Sequence, residues 1–345
     1  MTGLIRTVLV LMTAVVLLAG GALLLVFENF EISAARQVTL PFKHGTDRLE
    51  GDLWLPEGEG PHPVALLVHG DGPQDRTSSD GYNPLINHLL SQGIGVFSWD
   101  KPGIGRSTGN WLTQSMADRA DEALAALEVV AMQPEARKGA IGLIGFSQGG
   151  WVLPEIALKS DAPAFHVIIG GAVTWADQSL YLTRKRMEAE GVSADEITQA
   201  IAKERQENQR IFGDAPAADG QLSGREGFIA RNFHVDARPG LAALSQPFLA
   251  LLGKKDLNVD TRESAQVYQS ILARAGHPDF EIHLIDGATH SLFRAEDYNF
   301  QTPGAWTSEA QLRFLLEGRD AYVPGSLETL SGWVRRVTGS QPPPS

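Results

Sequence analysis

Two serines lie in the pattern G-x-S-x-G, in which the flanking glycines let the serine occupy a sharp turn. They are Ser147, within Gly145–Gly149, and Ser107, within Gly105–Gly109. The apolar run Ile141–Phe146 leads directly into Ser147 and a helical pattern follows, which predicts a strand-to-helix turn with an exposed hydroxyl. Ser107 lies eight residues beyond its strand and leads into more loop, as is typical of a glycine turn. We therefore predict that Ser147 is the nucleophile.

A serine nucleophile needs a base that accepts its proton and a carboxylate that orients the base. Asp256 follows the apolar run Phe248–Leu252, and His290 follows the run Phe280–Ile285. If both runs are strands of a parallel sheet, both side chains lie at its carboxyl edge, where such sheets bind ligands. The sequence thus predicts a triad of Ser147, Asp256 and His290.

Other residues compete for the acid and base roles. Asp286 and Asp260 are alternative acids, although Asp286 comes only four residues before the predicted base. His69 and His283 lie at or inside predicted strands, where a structural role is the more common one. We expect neither histidine to be the base.

An acyl-transfer reaction also needs two N–H groups directed at the oxyanion. The amide of Gln148 follows the nucleophile at the start of a predicted helix. The second amide should come from the loop His69–Arg76, which follows the apolar run Val64–Val68. Glycines in this loop let its backbone approach a substrate closely. We predict that the backbone amide of Asp71, rather than its carboxylate, is the second donor.

Strand and helix patterns alternate through most of the chain. A hairpin is expected at residues 37–44 and 48–55, and continuous apolar runs separated by amphipathic stretches then predict a mostly parallel sheet covered by helices on both faces. The remaining predicted strands are Val64–Val68, Ile94–Trp99, Ile141–Phe146, Val167–Ile169, Phe248–Leu252 and Phe280–Ile285. The predicted helices are Pro84–Gln92, Ser115–Met132, Gln148–Lys159, Thr261–Ala275 and Ser326–Val337.

One long connection interrupts this alternation. More than 70 residues separate Gly171 from Phe248, and they include a charged helical stretch. We predict a helical lid insertion at residues 173–240, above the carboxyl ends of the strands. Its apolar residues either face the pocket or pack within the lid, and the sequence leaves both possibilities open. The candidates are Leu180, Leu182, Ile201, Ile211 and Phe212.

The order of these motifs resembles that of the α/β-hydrolase superfamily over residues 37–338. The motifs are H-G-D-G-P-Q-D-R at 69–76, D-K-P-G-I-G-R-S at 100–107, G-F-S-Q-G-G at 145–150, K-D-L-N-V at 255–259 and G-A-T-H at 287–290. The first is similar to the loop of serine esterases and thioesterase-like hydrolases near the dienelactone-hydrolase branch. Lys101 stands where the family commonly has arginine, which puts a structural ion pair in doubt.

The resemblance implies an α/β-hydrolase domain at residues 37–340 with the helical lid inserted in it. It implies a serine hydrolase that forms an acyl-enzyme. The serine at position 147 argues against a haloalkane dehalogenase, which has aspartate there. Members of the superfamily cleave esters, thioesters, amides and carbon–carbon bonds, so the fold alone does not choose the substrate.

The amino-terminal segment Thr7–Phe27 contains 21 residues without a charge. As a helix, it is long enough to cross about 30 Å of hydrocarbon. Arg6 precedes it and Glu28 follows it, so the positive-inside rule places the rest of the chain outside the cytoplasm, in the periplasm if the cell is bacterial. We expect the first 28 residues to form a membrane anchor. The alternative is a secretory signal that is cleaved near Ser33–Ala35.

Composition narrows the function further. The chain has 41 acidic and 29 basic residues and a net charge of −12, which disfavours binding to nucleic acid. The absence of cysteine excludes a cysteine nucleophile and thiolate metal sites. We expect a small-molecule acyl ester as substrate and no cofactor or metal ion. The alternatives are an acyltransferase that uses the same site and a hydrolase-like protein that only binds.

Overall fold

The computed structural model describes residues 12–13, 20–21, 26, 29–213 and 223–341. Eight strands form one sheet in the order β1-β2-β4-β3-β5-β6-β7-β8. The β1-β2 and β2-β4 pairs are antiparallel and the others are parallel. The strands are β1 (Arg36–His44), β2 (Asp47–Leu55), β3 (His62–Val68), β4 (Gly95–Trp99), β5 (Ala136–Phe146), β6 (His166–Ile169), β7 (Phe248–Gly253) and β8 (Phe280–Ile285). The predicted hairpin and mostly parallel sheet are confirmed.

Helices cover the sheet, and the five predicted ones are present with ends within about two residues of the expected ones, the usual uncertainty of such boundaries. The α-helices of the described residues are α1 (Asn83–Ser91), α2 (Met116–Ala131), α3 (Gly149–Ala157), α4 (Trp175–Ala189), α5 (Ala194–Phe212), α6 (Gly224–Asn232), α7 (Arg238–Ala243), α8 (Thr261–Arg274), α9 (Ala295–Tyr298), α10 (Ser308–Glu317) and α11 (Ser326–Thr338). Short 3₁₀ turns occur at Trp111–Thr113, Pro303–Ala305 and Gly318–Ala321.

The apolar core consists of two layers, one on each face of the sheet. In β3, Leu66 and Val68 belong to one layer, whereas Ala65 and Leu67 belong to the other. Successive side chains of a strand point to opposite faces, so a strand buried on both sides must be apolar throughout. This explains why the central strands read as continuous apolar runs and why they predicted a covered sheet.

The connection between β6 and β7 contains α4, α5, α6 and α7. Leu180 and Ile201 are buried together between α4 and α5, in a small cluster separate from the two main layers. Phe212 stacks on Phe233 with 4.3 Å between ring centroids, and Ile211 is half exposed. Of the two possibilities left open by the sequence, the structure supports packing within the insertion for Leu180 and Ile201.

The predicted anchor at Thr7–Phe27 falls mostly on residues outside the described ranges. Within those ranges, no helix has both the length and the apolar character needed to cross a membrane. The residues that follow the segment are held against the body of the protein. Asn83 of α1 donates a hydrogen bond to the carbonyl of Phe30 (2.7 Å), and the neighbouring Asn87 donates one to the carbonyl of Glu31 (2.9 Å).

Candidate active site

Ser147 occupies the turn between β5 and α3. Its φ of +50° is in the left-handed region, which a non-glycine residue adopts rarely and at a cost in free energy. The Ser147 N–H donates to the carbonyl of Ile169 on β6 (2.9 Å), which fixes the turn to the neighbouring strand. A side chain at Gly149 would come within 2.7 Å of the Val68 carbonyl oxygen, so glycine lets α3 pack closely on β3. This is the strand-to-helix geometry that the sequence predicts for Ser147.

Asp256 and His290 meet at the carboxyl ends of β7 and β8. The Asp256 side chain is buried, and its Oδ2 accepts a hydrogen bond from His290 Nδ1 at 2.7 Å. Its Oδ1 accepts from the backbone N–H groups of Asn258 (2.7 Å) and Val259 (2.9 Å). An ionised carboxylate only accepts, so the proton of this bond belongs to Nδ1 and leaves Nε2 able to accept one.

The electrostatics of His290 follow from this pairing. Burial lowers the pKa of His290, but the charge of Asp256 and its hydrogen bond raise it by more, so that the pKa lies above the ordinary value. A base of this kind holds a transferred proton well. The arrangement can therefore stabilise an imidazolium that forms when a neighbouring hydroxyl is deprotonated.

Gly170, directly after β6, is a residue whose importance the sequence did not reveal. Its φ is +64°, and a Cβ there would lie 2.8 Å from the carbonyl oxygen and 2.9 Å from Nδ1 of His290. A larger residue would displace the imidazole. A glycine directly after a predicted strand was the available signal, but only the fold shows that His290 occupies the space.

The loop after β3 reaches Ser147. A Cβ at Gly70 would lie 3.3 Å from the Ser147 Cβ, so the backbone of this loop passes beside the nucleophile. Within the described part of the protein, neither Asp71 N–H nor Gln148 N–H donates a hydrogen bond. Both amides predicted as oxyanion donors are therefore without a hydrogen-bond partner in that part of the protein. The Asp71 carboxylate is already engaged, because it forms a two-pronged ion pair with Arg225 of α6.

Arg119 of α2 connects the loop His69–Arg76, called the oxyanion loop after its predicted role, to the turn at Ser147, called the nucleophile turn. It is buried, and its guanidinium donates to the carbonyl of His69 (2.5 Å) and to the side-chain oxygen of Gln148 (3.0 Å). Burial lowers the pKa of Arg119, and the charge of nearby Glu122 offsets part of this lowering. The sequence did not single out Arg119, because a polar residue in an amphipathic helix is ordinarily assigned to the exposed face.

Lys101 supports the same loop from a different direction. Its Nζ donates to the carbonyls of Gly70 (2.5 Å) and Gly72 (2.9 Å), and it lies 5.2 Å from the ring centroid of Trp111. Burial and the charge of Arg119 lower the pKa of Lys101 well below its usual value. The resemblance to the superfamily had put a structural ion pair at this position in doubt. Among the described residues Lys101 forms no ion pair, and its amine contacts backbone carbonyls instead.

The ion pair of this region uses a different cation. Arg76 contacts Asp100 (2.7 Å), Asp52 (2.8 Å) and Glu50 (3.1 Å), and all four side chains are largely buried. The group joins the loop after β3 to β2 and to the end of β4. It stabilises the base of the oxyanion loop without contacting the nucleophile turn.

The alternative acids have other roles. Asp286 is exposed and forms an ion pair with Lys254 (2.8 Å), and Asp260 accepts from the Glu263 N–H (3.1 Å) at the start of α8. In the described ranges, no group of three or more acidic or histidine side chains is arranged to hold a metal ion.

His69 is unsuited to act as a base. Its Nε2 lies 2.6 Å from the carbonyl of Trp99, so this nitrogen carries the proton. Burial and the charge of Lys101 lower the pKa of His69 to about 3. His69 therefore stays neutral and, as expected, has a structural role.

The insertion contacts the predicted catalytic loops on both sides. From α4, the Tyr181 hydroxyl donates to the backbone carbonyl of Asp256 (2.9 Å). From α6, Arg225 pairs with Asp71 and lies over the ring of Phe228, 5.3 Å from its centroid. The insertion is therefore in direct contact with both the loop that carries Asp256 and the oxyanion loop.

Comparisons with known proteins agree with this architecture. The profile of the family described as serine aminopeptidase, S33 matches residues 60–297. Esterase EstD of Thermotoga maritima is 29% identical over 118 residues, which are 33% of this chain and 28% of that protein. Esterase FrsA of Enterobacter sp. is 32% identical over 107 residues, 31% of this chain and 25% of that protein. The matched segment thus spans about a quarter of the length of these curated relatives.

Among solved structures, the Pyrococcus furiosus esterase Pf2001 superposes with a TM-score of 0.57 at 16% sequence identity. The match covers 88% of this chain and 92% of that chain. The likeness therefore extends over nearly the whole chain, and at this level of identity it concerns the fold alone.

Proposed function

Because the chain belongs to the serine aminopeptidase S33 family, within the α/β-hydrolase superfamily, we propose that it hydrolyses a carboxylic ester or a related acyl bond of a small molecule. The proposal rests above all on the hydrogen bond between Asp256 and His290, at the sheet edge where Ser147 holds its left-handed turn. A protein that only binds a ligand has no need of a buried, fully hydrogen-bonded carboxylate behind a histidine.

In the proposed mechanism, Ser147 Oγ attacks the substrate carbonyl while His290 Nε2 accepts its proton. The carbonyl oxygen becomes an oxyanion that receives hydrogen bonds from the amides of Asp71 and Gln148. Collapse of the tetrahedral intermediate breaks the bond to the alcohol, which takes the proton from His290 and leaves an acyl group on Ser147. Water then attacks the acyl-enzyme with His290 as base, and the carboxylic acid is released.

The pairing of Asp71 with Arg225 favours a neutral acyl substrate over a peptide with a free amino terminus. An aminopeptidase must bind an α-ammonium group, which calls for an unpaired carboxylate close to the nucleophile. Asp71 lies in the loop beside Ser147, but its carboxylate is paired with Arg225. The relatives named as esterases support the same choice.

The test combines active-site labelling with a substrate panel. The full chain should react with a fluorophosphonate probe and hydrolyse p-nitrophenyl esters faster than the matching anilides or aminoacyl anilides. Absence of labelling in a folded sample would instead support a binding protein. Faster turnover of aminoacyl anilides would support a peptidase, and ester product appearing on an added alcohol, without free acid, would support an acyltransferase.

We also propose that residues 1–28 hold the protein at a membrane, with the hydrolase body on the extracytoplasmic side. The support is the 21-residue uncharged segment Thr7–Phe27 behind Arg6. The protein should then resist alkaline carbonate extraction and be accessible to protease from outside the cytoplasm. A soluble mature chain that begins near Arg36 would instead establish a cleaved signal.

A further inference from the structure

Lys101 combines two properties that are costly to maintain together. Its side chain is buried, with only 2% of the residue exposed, and in the described part of the protein no carboxylate lies within 4 Å of its amine. Burying an unpaired lysine costs free energy whether it stays charged or gives up its proton. If the site needed only filling, an apolar side chain of similar length would serve better. The retained amine therefore indicates a task for its N–H groups.

That task is visible in the contacts of the amine. Nζ donates to the carbonyls of Gly70 and Gly72, which lie on either side of Asp71 in the chain. Both the charged and the neutral form of the amine carry the two N–H donors that these carbonyls need. Arg119 holds the preceding carbonyl, that of His69, so three carbonyls of one short loop accept from two buried basic side chains.

Peptide geometry links these contacts to the reaction. The Gly70 carbonyl and the Asp71 N–H belong to one trans peptide unit, so they point in opposite directions. Because Lys101 holds the carbonyl, the N–H must be directed away from Lys101. Gly70 borders Ser147, with 3.3 Å from a Cβ at Gly70 to the Ser147 Cβ, and the Asp71 N–H donates to no group of the described protein.

We propose that Lys101 is a positioning residue of the acyl-transfer reaction, which holds the Gly70–Asp71 peptide so that its N–H donates to the tetrahedral oxyanion. The inference rests on the proposed function. Lys101 acts through the peptide and does not touch the substrate. A donor bonded to the carbonyl also polarises the peptide, which strengthens its N–H as a donor.

This role has a kinetic signature. The oxyanion carries its charge in the transition state and not in the bound ester, so the contribution of Lys101 should be made there. Its loss should lower kcat and kcat/KM together and leave KM nearly unchanged. Loss of a merely structural residue would instead lower the fraction of folded enzyme or disturb substrate binding.

The experiment compares K101M with K101R and with K254M in the full chain. Methionine keeps the length of the side chain and removes the N–H donors, arginine keeps them, and Lys254 is a partly exposed lysine paired with Asp286. K101M should reduce kcat about 10²-fold, the effect of removing an oxyanion donor, with KM within about 3-fold of the parent. K101R should recover part of this loss, and K254M should match the parent.

A trifluoromethyl ketone provides a second readout. Addition of Ser147 Oγ to its carbonyl carbon forms a tetrahedral adduct with an oxyanion, while the serine proton passes to His290. K101M should weaken the affinity for this ketone by the same factor as kcat/KM falls. The affinity for the product alcohol, which has no oxyanion, should not change.

The inference is overturned if K101M melts like the parent and keeps its kcat/KM and its affinity for the ketone, or if only KM changes. Should K101M fail to fold, K101Q decides in the same assays, since its side chain is shorter than that of lysine and carries two amide N–H donors. A joint fall in kcat/KM and in ketone affinity with KM nearly unchanged would support the inference, and unaltered values would overturn it. An inactive, unlabelled parent would overturn both this inference and the proposed function. An active parent with an unaltered K101M would overturn this inference alone.

Discussion

Two turns in this protein share the pattern G-x-S-x-G but use their serines in opposite ways. Ser147 holds a left-handed conformation at the end of β5, where a helix begins behind it. Ser107 is buried, and its hydroxyl donates to the Asp100 carbonyl (2.8 Å) and accepts from the Glu50 N–H (3.1 Å). The Ser147 turn lies at the sheet edge where Asp256 and His290 pair, whereas the Ser107 hydroxyl is engaged in backbone hydrogen bonds.

The glycines of the two motifs differ in the same way. Gly149 lacks a side chain so that α3 can approach the Val68 carbonyl. Gly105 lacks one because the Asp100 carboxylate, which pairs with Arg76, fills the space beside it. The comparison teaches that the pattern specifies a tight turn, whereas the neighbouring strands decide whether its serine can react.

The largest expected effect is that of S147A. Removing the nucleophile should lower kcat by about 10⁶ and abolish fluorophosphonate labelling, while the melting temperature stays close to that of the parent. S107A is the matched control and should label like the parent. Labelling that persists in S147A and disappears in S107A would exchange the roles of the two serines.

D256N should have the next largest effect. Asparagine keeps the shape of the side chain but favours the wrong tautomer of His290, and kcat should fall by about 10⁴. D286N, at the exposed alternative acid, should stay within about 3-fold of the parent. If the two variants gave the reverse result, the acid of the triad would be Asp286.

The pH dependence of kcat/KM should show whether His290 acts as the base for Ser147. Protonated His290 cannot accept the Ser147 proton, so kcat/KM should fall tenfold per pH unit below the pKa of His290 in the free enzyme. Since Asp256 raises this pKa, the midpoint of the acid limb should lie above 6.5, the ordinary value for histidine.

The same pH profile measured for D256N provides the check. Without the carboxylate charge, the pKa of His290 should fall, and the acid limb of the residual activity should move to lower pH. A parental limb with its midpoint below 6.5, or a limb that does not move in D256N, would contradict the pairing of Asp256 with His290.

The smallest effect is expected for S107A, and it concerns stability. Removing the hydroxyl leaves the buried Asp100 carbonyl and Glu50 N–H without this partner, so the free energy of unfolding should decrease by about 1–3 kcal/mol. Urea unfolding measures the change, and S245A, at an exposed serine, should alter it by less than about 0.5 kcal/mol. An S107A variant as stable as S245A would show that these two hydrogen bonds contribute little.

Much of the fold could be predicted because its signals are local. Continuous apolar runs mark strands that are buried on both faces, and helical spacing marks the helices between them. The largest error in a predicted strand boundary also arises from relying on apolar runs. Strand β5 begins at Ala136, five residues before the apolar run at Ile141, because its polar start at Arg137 and Lys138 lies at the rim of the core.

The insertion shows where local signals end. Its helices could be expected from their spacing, but the partners of their apolar faces could not. Leu180 and Ile201 were equally compatible with a pocket and with a core of their own. An amphipathic pattern states that one face is buried and does not state against what.

The sequence by itself determined the order of Ser147, Asp256 and His290 and their positions after predicted strands, because strand ends and turns are encoded within a few residues. Only the tertiary structure decided that Gly170 makes room for the imidazole and that Arg119 and Lys101 hold the oxyanion loop. Those contacts join residues about 30 to 120 positions apart in the chain. Their geometry depends on the order of the strands in the sheet, which no local pattern records.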